Sequence, residues 1–139
     1  NAHSLSAVKH LNEKIKKRSK FRPVAPVTLI DDANKYFILS DKIYKSYFYM
    51  GSVAEVSNSK NIEAVVHKDN TARVQICDEN HILGKILSKL KKNNIDVLAN
   101  TSFNISSDPI VYSLEDAYLA IERMNIKYLL TENGMYKKK

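Results

Sequence analysis

Cysteine is almost missing: Cys77 is the single one, so no internal disulfide can form. A reducing cytoplasm is the compartment that fits such usage. No stretch is apolar for long enough to read as a membrane span. The N-terminus lacks the apolar core of a secretory signal. Glycine is scarce, with three in all, and none belongs to a phosphate-cradling loop of the Walker type. There is no internal repeat, no linker, and no low-complexity segment apart from a lysine tail. These absences argue against a disulfide scaffold, a membrane protein, a solenoid and a P-loop enzyme.

What is present suits one globular domain. The chain has 139 residues, 44% of them hydrophobic, enough for a real core. Asn1-Ala2 reads as the scar of a cleaved tag, which leaves residues 3–139 as a single domain and a fragment of a longer protein. Lysine and arginine total 22 against 15 acids, a net charge of +7 that favours an anionic partner. The excess is clustered. Lys14, Lys16, Lys17, Arg18, Lys20 and Arg22 form one group. Lys89, Lys91 and Lys92 form another, at the end of an expected helix where cations suit the dipole. Lys137, Lys138 and Lys139 read as a solvated tail.

Periodicity gives intermingled strands and helices. Ser6 is expected to cap a helix over 7–19, with Val8, Leu11 and Ile15 on its buried face. Residues 24–30 read as a strand that Pro26 confines to an edge or a bend. Asp31-Asp32 open a short helix to Tyr36, and the aromatic stretch 37–56 is β-prone. Residues 62–67 and 71–77 form an expected hairpin around the turn 67–70. The clearest helix spans 80–92. A strand over 95–100, the loop Asn100-Thr101-Ser102-Phe103-Asn104 and a strand over 109–112 follow. Ser113 and Asp116 open a helix to about Met124, a strand runs over 126–131, and Gly134 turns the chain into a short terminal piece. The fold class is α/β, or α+β, on a mixed sheet.

Several residues have the chemistry to bind an anion. Arg22 follows a helix, precedes a proline and leads into an apolar strand. An arginine so placed can grip a phosphate through two parallel hydrogen bonds. Thr71, Arg73 and Gln75 share one face of their strand, while Ala72, Val74 and Ile76 share the other. On pattern alone, an ordinary half-exposed strand explains this slightly better than a binding face does. His67 and Asp69 are two candidate metal ligands without a third, so no metal site is expected. The loop 100–104 offers hydroxyls and carboxamides around an apolar Phe103, which suits an amide or phosphate oxygen. No histidine stands where it could activate Ser102, which argues against a serine nucleophile.

Taken in order, Asn12-Glu13-Lys14-Ile15-Lys16-Lys17-Arg18, Phe21-Arg22-Pro23-Val24-Ala25-Pro26, His67-x-Asp69-x-Thr71-Ala72-Arg73-Val74-Gln75, Asn100-Thr101-Ser102-Phe103-Asn104 and Asp108-Pro109-Ile110-Val111 form a constellation, completed by Glu115-Asp116-Ala117. It closely resembles the C-terminal domain of NodU/TobZ-type O-carbamoyltransferases, from about Ser4 to Lys137. The chain departs from the family at Asn70, where glycine is usual, at Ser19, where glutamate is usual, and at Ser107-Asp108, where Gly-Glu is usual. Asn70 can keep the turn because asparagine tolerates positive φ.

The resemblance implies a YrdC-like fold, a twisted mixed β-sheet with flanking helices. It implies that the domain binds carbamoyl phosphate and ATP, the latter with Mg²⁺, and forms carbamoyl-adenylate. Transfer to a hydroxyl would fall to a separate N-terminal actin-like domain that carries its own metal. Carried over residue by residue, Lys16, Arg22 and Arg73 are the catalytic cations. Lys16, Arg18, Arg22, His67, Thr71, Arg73, Ser102 and Asn104 form the substrate site. The loop becomes the neutral half of an anion pocket whose charged half is Arg22 and Arg73. Arg73, held on its strand, is expected to matter most, and Lys16 less because its helix gives it a looser reach. The rival reading is a YrdC-like RNA- or nucleotide-binding module without carbamoyl transfer. The separation in sequence of aromatics (36–49) from the basic helix disfavours specific nucleic-acid recognition.

Overall fold

The computed structural model describes residues 1–17, 24–105 and 108–138. The described residues fall into two compact units: one from Asn1–Val8 and Pro23–Thr101, the other from Lys9–Arg22 and Ser102–Lys139.

The first unit holds a three-stranded mixed sheet. Strand β1 (Ala25–Leu29) lies at its centre, flanked by β5 (Gln75–Cys77) and β6 (Val97–Asn100). β1 runs parallel to β5, with Val27 opposite Gln75, and antiparallel to β6, with Ala25 opposite Asn100. All five residues of β1 are buried. The edge position expected from Pro26 is therefore corrected. Pairing with β5 starts one residue later, at Val27, so at Pro26 the strand has a neighbour on the β6 side alone, as at an edge. Val27, Leu29, Cys77 and Leu87 form a buried cluster, with Leu83 and Leu98 packed against it.

Helix α2 (Ile30–Ala33) follows β1, and helix α3 (Ile82–Leu90) supplies Leu83 and Leu87 to the cluster. The His81 side chain caps α3 by accepting from the Leu83 N–H at 3.2 Å. Gly84 is needed in α3: a Cβ there would lie 1.9 Å from the Asp78 carbonyl oxygen. A second small sheet orders β2 (Phe37–Ile38), β3 (Ala54–Val56) and β4 (Thr71–Ala72), all antiparallel.

Several expected strands take other forms. Residues Asp41–Tyr49 are 3₁₀-helical despite their aromatic β-propensity, because Tyr44 packs edge-on against both Tyr47 and Phe48 at helical spacing. Residues Glu63–Val65 are a short 3₁₀ turn, so β4 pairs with β3 and the expected hairpin over 62–77 does not form. The expected strand 71–77 is split between β4 and β5, which belong to different sheets, and Arg73-Val74 is the break.

Helix α1 (Leu5–His10) begins earlier than Ser6 would place it. Ser4 Oγ is the cap, accepting from the Ala7 N–H at 3.2 Å. The chain continues as a π-helical turn over Leu11–Ile15, where the Lys16 N–H donates to the Leu11 carbonyl at 2.8 Å. A π turn holds more residues than an α turn. Burial accordingly passes through Val8, Asn12 and Lys16 rather than through Leu11 and Ile15, which are only half-buried. Ala2 is buried and its N–H donates to the Val97 carbonyl, so the first residues take part in the fold.

In the second unit, helix α4 (Leu114–Met124) opens with a reciprocal capping box between Ser113 and Asp116. That contact, led by the Ser113 backbone N–H, holds the Asp116 carboxyl below its ordinary value. Residues 109–112, expected as a strand, are irregular. β7 (Tyr128–Thr131) and β8 (Gly134–Lys137) form an antiparallel hairpin. The lysine tail is not simply solvated: Lys137 lies in β8, and Lys138 pairs with Glu122 at 2.8 Å.

Candidate functional site

Lys16 and the loop after β6 form a hydrogen-bonded polar cluster in the second unit. Lys16 is 1% exposed. Its ammonium donates to the Ser102 carbonyl at 2.6 Å, the Asn104 Oδ1 at 2.7 Å and the Asn104 carbonyl, with Ser102 Oγ at 3.3 Å. An ammonium has three N–H donors, so these four oxygens saturate it. The π turn places the charge there: its extra residue brings Lys16 onto the buried line of the helix.

The loop is organised around that charge. Ser102 Oγ donates to Asn104 Oδ1 at 2.6 Å, and Asn104 Nδ2 donates to the Asp108 carbonyl at 2.8 Å. The Val111 N–H donates to the Phe103 carbonyl at 3.0 Å. Ser102 is exposed and Asn104 half-buried, so a ligand can reach the loop although Lys16 is covered. A buried cation behind an accessible hydroxyl suits an anion: the charge acts at close range in a poorly screened setting. Lys16 is thus held tightly, and the looser reach expected of it is corrected.

Of the other residues selected from the sequence, His67, Thr71 and Arg73 are in the first unit. The Thr71 hydroxyl donates to Asp69 Oδ1 at 2.8 Å and lies 2.9 Å from His67 Nδ1. Its single hydrogen is spent on Asp69, so Nδ1 carries a proton and donates to Thr71. The Thr71 hydroxyl, helped by its backbone N–H, holds the Asp69 carboxyl below its ordinary value. The turn is closed by Asn70 at φ +61°, as its tolerance of the left-handed region allows, with Asn70 Nδ2 donating to the Val56 carbonyl at 2.9 Å. His67 and Asp69 therefore staple a turn. Among the described residues no three His, Cys, Asp or Glu side chains gather as a metal site.

Arg73 is exposed and stands at the break between β4 and β5, so the strand-held backbone expected for it is corrected. Its side chain helps line a cavity of about 400 Å³ with Ile43, Met50, Gly51, Ser52 and Val53, in which it is the charged group. Asn100 closes β6 and donates to Gln75 Oε1 at 2.6 Å, while Gln75 Nε2 donates to the Phe48 carbonyl at 3.3 Å. Arg18 and Arg22 lie outside the described residues, so the charged partner first assigned to the loop is described only for Arg73.

Sequence reasoning placed Asp108 in the motif but did not find its partner Arg123, whose guanidinium meets the Asp108 carboxylate at 2.8 Å. Nothing in spacing signals a pair fifteen residues apart across an irregular loop. Nor did it find the buried Asp32, which Lys35 and Lys91 meet at 2.7 and 2.8 Å. Lys91 had been explained by the helix dipole alone.

The fold and these contacts define a mixed α/β domain with a lysine-centred polar loop. The chain belongs to the family described as carbamoyltransferase C-terminus, whose model matches residues 1–138. It is 34% identical over 134 residues to nodulation protein NolNO of Sinorhizobium fredii, covering 93% of this chain and 20% of that protein. It is 31% identical to 3'-hydroxymethylcephem-O-carbamoyltransferase of Amycolatopsis lactamdurans, covering 92% of this chain and 24% of that protein. The chain thus spans about a fifth to a quarter of the length of these relatives. Among solved structures, full-length HypF in a phosphate- and nucleotide-bound form superposes with a TM-score of 0.65 at 22% identity. That match covers 89% of this chain and 16% of HypF, and it shows the fold. Among the described residues no helix is long and apolar enough to cross a membrane.

Proposed function

We propose that this chain is the carbamoyl-phosphate- and ATP-binding part of an O-carbamoyltransferase. Its product is carbamoyl-adenylate, which a further N-terminal actin-like domain uses on a hydroxyl acceptor. The buried Lys16 ammonium, fixed against Ser102 and Asn104, carries the reading. It offers a pre-placed positive charge beside an accessible hydroxyl, the arrangement a small phosphorylated amide needs. Arg73 is assigned to phosphate by the family motif, and its fork of donors can hold two phosphate oxygens at once. Arg22 and Arg18 are assigned to the same task by the family motif, as are His67 and Thr71, whose shared network sets the turn before Arg73. The phosphate and nucleotide named for the HypF structure are consistent with such ligands on this fold.

Atoms balance as carbamoyl phosphate, ATP and one water giving carbamoyl-adenylate, pyrophosphate and phosphate. ATP enters with Mg²⁺ as substrate. The metal of the transfer step belongs to the N-terminal portion, and no step here passes through it. The cytoplasm, where both substrates are made available, is the proposed compartment.

Isothermal titration of the folded chain with carbamoyl phosphate, ATP and Mg²⁺, singly and together, tests the proposal. Saturable heat with carbamoyl phosphate, enhanced by the nucleotide, is expected, with no carbamoylation of an added sugar by this chain alone. Absence of heat in every combination overturns the proposal. Salt-resistant binding of a particular RNA in its place would favour a nucleic-acid module.

A further inference from the structure

Asn104 sits between two demands. Its Oδ1 accepts from both Lys16 and Ser102, at 2.7 and 2.6 Å, so that atom must be oxygen. A carboxamide reversed by half a turn would set an NH₂ group against an ammonium and a hydroxyl hydrogen. The orientation is fixed from the other side, because Nδ2 donates to the Asp108 carbonyl at 2.8 Å. The position of that carbonyl thus decides how well Asn104 holds Lys16.

Ile105 is buried, but a gap lies beside it. A cavity of about 260 Å³ separates Asn104, Ile105, Asp108 and Val111 from Leu119, Ala120 and Arg123 on α4. Open space beneath a loop forfeits the contacts that would otherwise fix it. Polar ties then share in setting its position. Among the described residues, a tie crosses the cavity where Arg123 Nη1 meets Asp108 Oδ2 at 2.8 Å.

We infer that Arg123 and Asp108 are positioning residues for the anion site. Their ion pair ties the loop to α4, and through the Asp108 carbonyl and the Asn104 carboxamide it sets the Lys16 ammonium in place. The inference rests on the reading of Lys16 as the buried charge behind the anion site, with Ser102 and Asn104 between it and the ligand. It names two residues that touch no substrate yet tune how substrate is held. Arg123 and Asp108 are 61% and 28% exposed at the side chain, so water weakens the pair. Its effect on the site is accordingly about two- to fivefold, the range of partly exposed ion pairs.

The test has two readouts on the whole chain. The first is the acetylation rate of Lys16 by acetic anhydride, followed by peptide mass spectrometry, with the exposed Lys42 as internal reference. The second is carbamoyl phosphate affinity by calorimetry. Arg123→Ala and Asp108→Asn should each raise Lys16 reactivity relative to Lys42 and weaken binding by the same modest factor. The double variant should be no worse than either single one, and Arg123→Lys should recover part of the loss. Thermal melts, expected to be nearly unchanged, separate positioning from general destabilisation. Unchanged Lys16 reactivity in both single variants, or fully additive effects, overturns the relay. If the parent chain binds no carbamoyl phosphate, the functional proposal falls while the acetylation rates still decide the relay.

Discussion

Lys16 and Arg73 are both cations assigned to phosphate, but their surroundings predict different phenotypes. Lys16 is buried and satisfies oxygens of Ser102 and Asn104. Removing its ammonium deletes charge-assisted hydrogen bonds worth roughly 1.5–3 kcal/mol each, part of which water restores at the exposed Ser102 and half-buried Asn104. Lys16→Ala should therefore lower both the melting temperature and carbamoyl phosphate affinity. Arg73 is exposed, so Arg73→Ala should leave the melt unchanged and lower affinity about tenfold to a hundredfold, the loss of a charge-assisted contact. Arg73→Lys should recover only part, because an ammonium cannot bind bidentately. Thermal melts beside calorimetry check both variants. Equal melting losses would show that Arg73 is structural. Cys77 gives a separate check on the core. Burial, with Asp78 beside it, pushes its thiol up to about 11. The thiolate is the reactive form, so Cys77 should resist alkylation in the native chain and react quickly once urea unfolds it.

At the scale of elements, Asp32 on α2 is 2% exposed, with Lys35 and Lys91 on one carboxylate oxygen. Burial alone would raise its pKa. The hydrogen bonds and charges of the two lysines overcome that, and the folded value lies below the ordinary one. A folded value below the unfolded value favours the native state above the unfolded pKa. That stability disappears as pH falls through the folded pKa. Asp32→Asn should destabilise the chain at neutral pH and flatten the loss of stability on acidification, as urea titrations across the acid range can show. A loss as steep in the variant as in the parent would contradict this role. Gly84→Ala should destabilise α3 by about 1–3 kcal/mol, since its Cβ would run into the Asp78 carbonyl. Elements marked by strong local signals were legible in the sequence: the Ser113–Asp116 box, the periodic helix around Leu83 and Leu87, and the Asn70 turn. Elements whose form depends on distant partners were not. Pro26 could not show that β5 would pair only beyond it, and aromatic propensity at Tyr44–Phe48 gave way to ring packing one helical turn apart. Ser102 and Asn104 were legible as polar groups on a strand-end loop. Their grip on Lys16 depends on a π turn that no hydrophobic period announces.

For the molecule as a whole, net charge and family membership point in different directions, and magnitudes separate them. The charge of +7 permits contact with any polyanion. Such contact is driven by counterion release and weakens steeply with salt. RNA binding in a gel shift should therefore vanish near physiological salt and show no sequence preference. Carbamoyl phosphate binding, built on localised contacts, should depend on salt far less. Proton–nitrogen correlation spectra recorded while carbamoyl phosphate is added, with ATP and Mg²⁺ present, test the central claim most directly. They read the site without any substitution. Saturable shifts concentrated at the amides of Lys16, Ser102 and Asn104 and at Arg73 are expected. Shifts confined to other residues, or spectra that do not change, would contradict that claim.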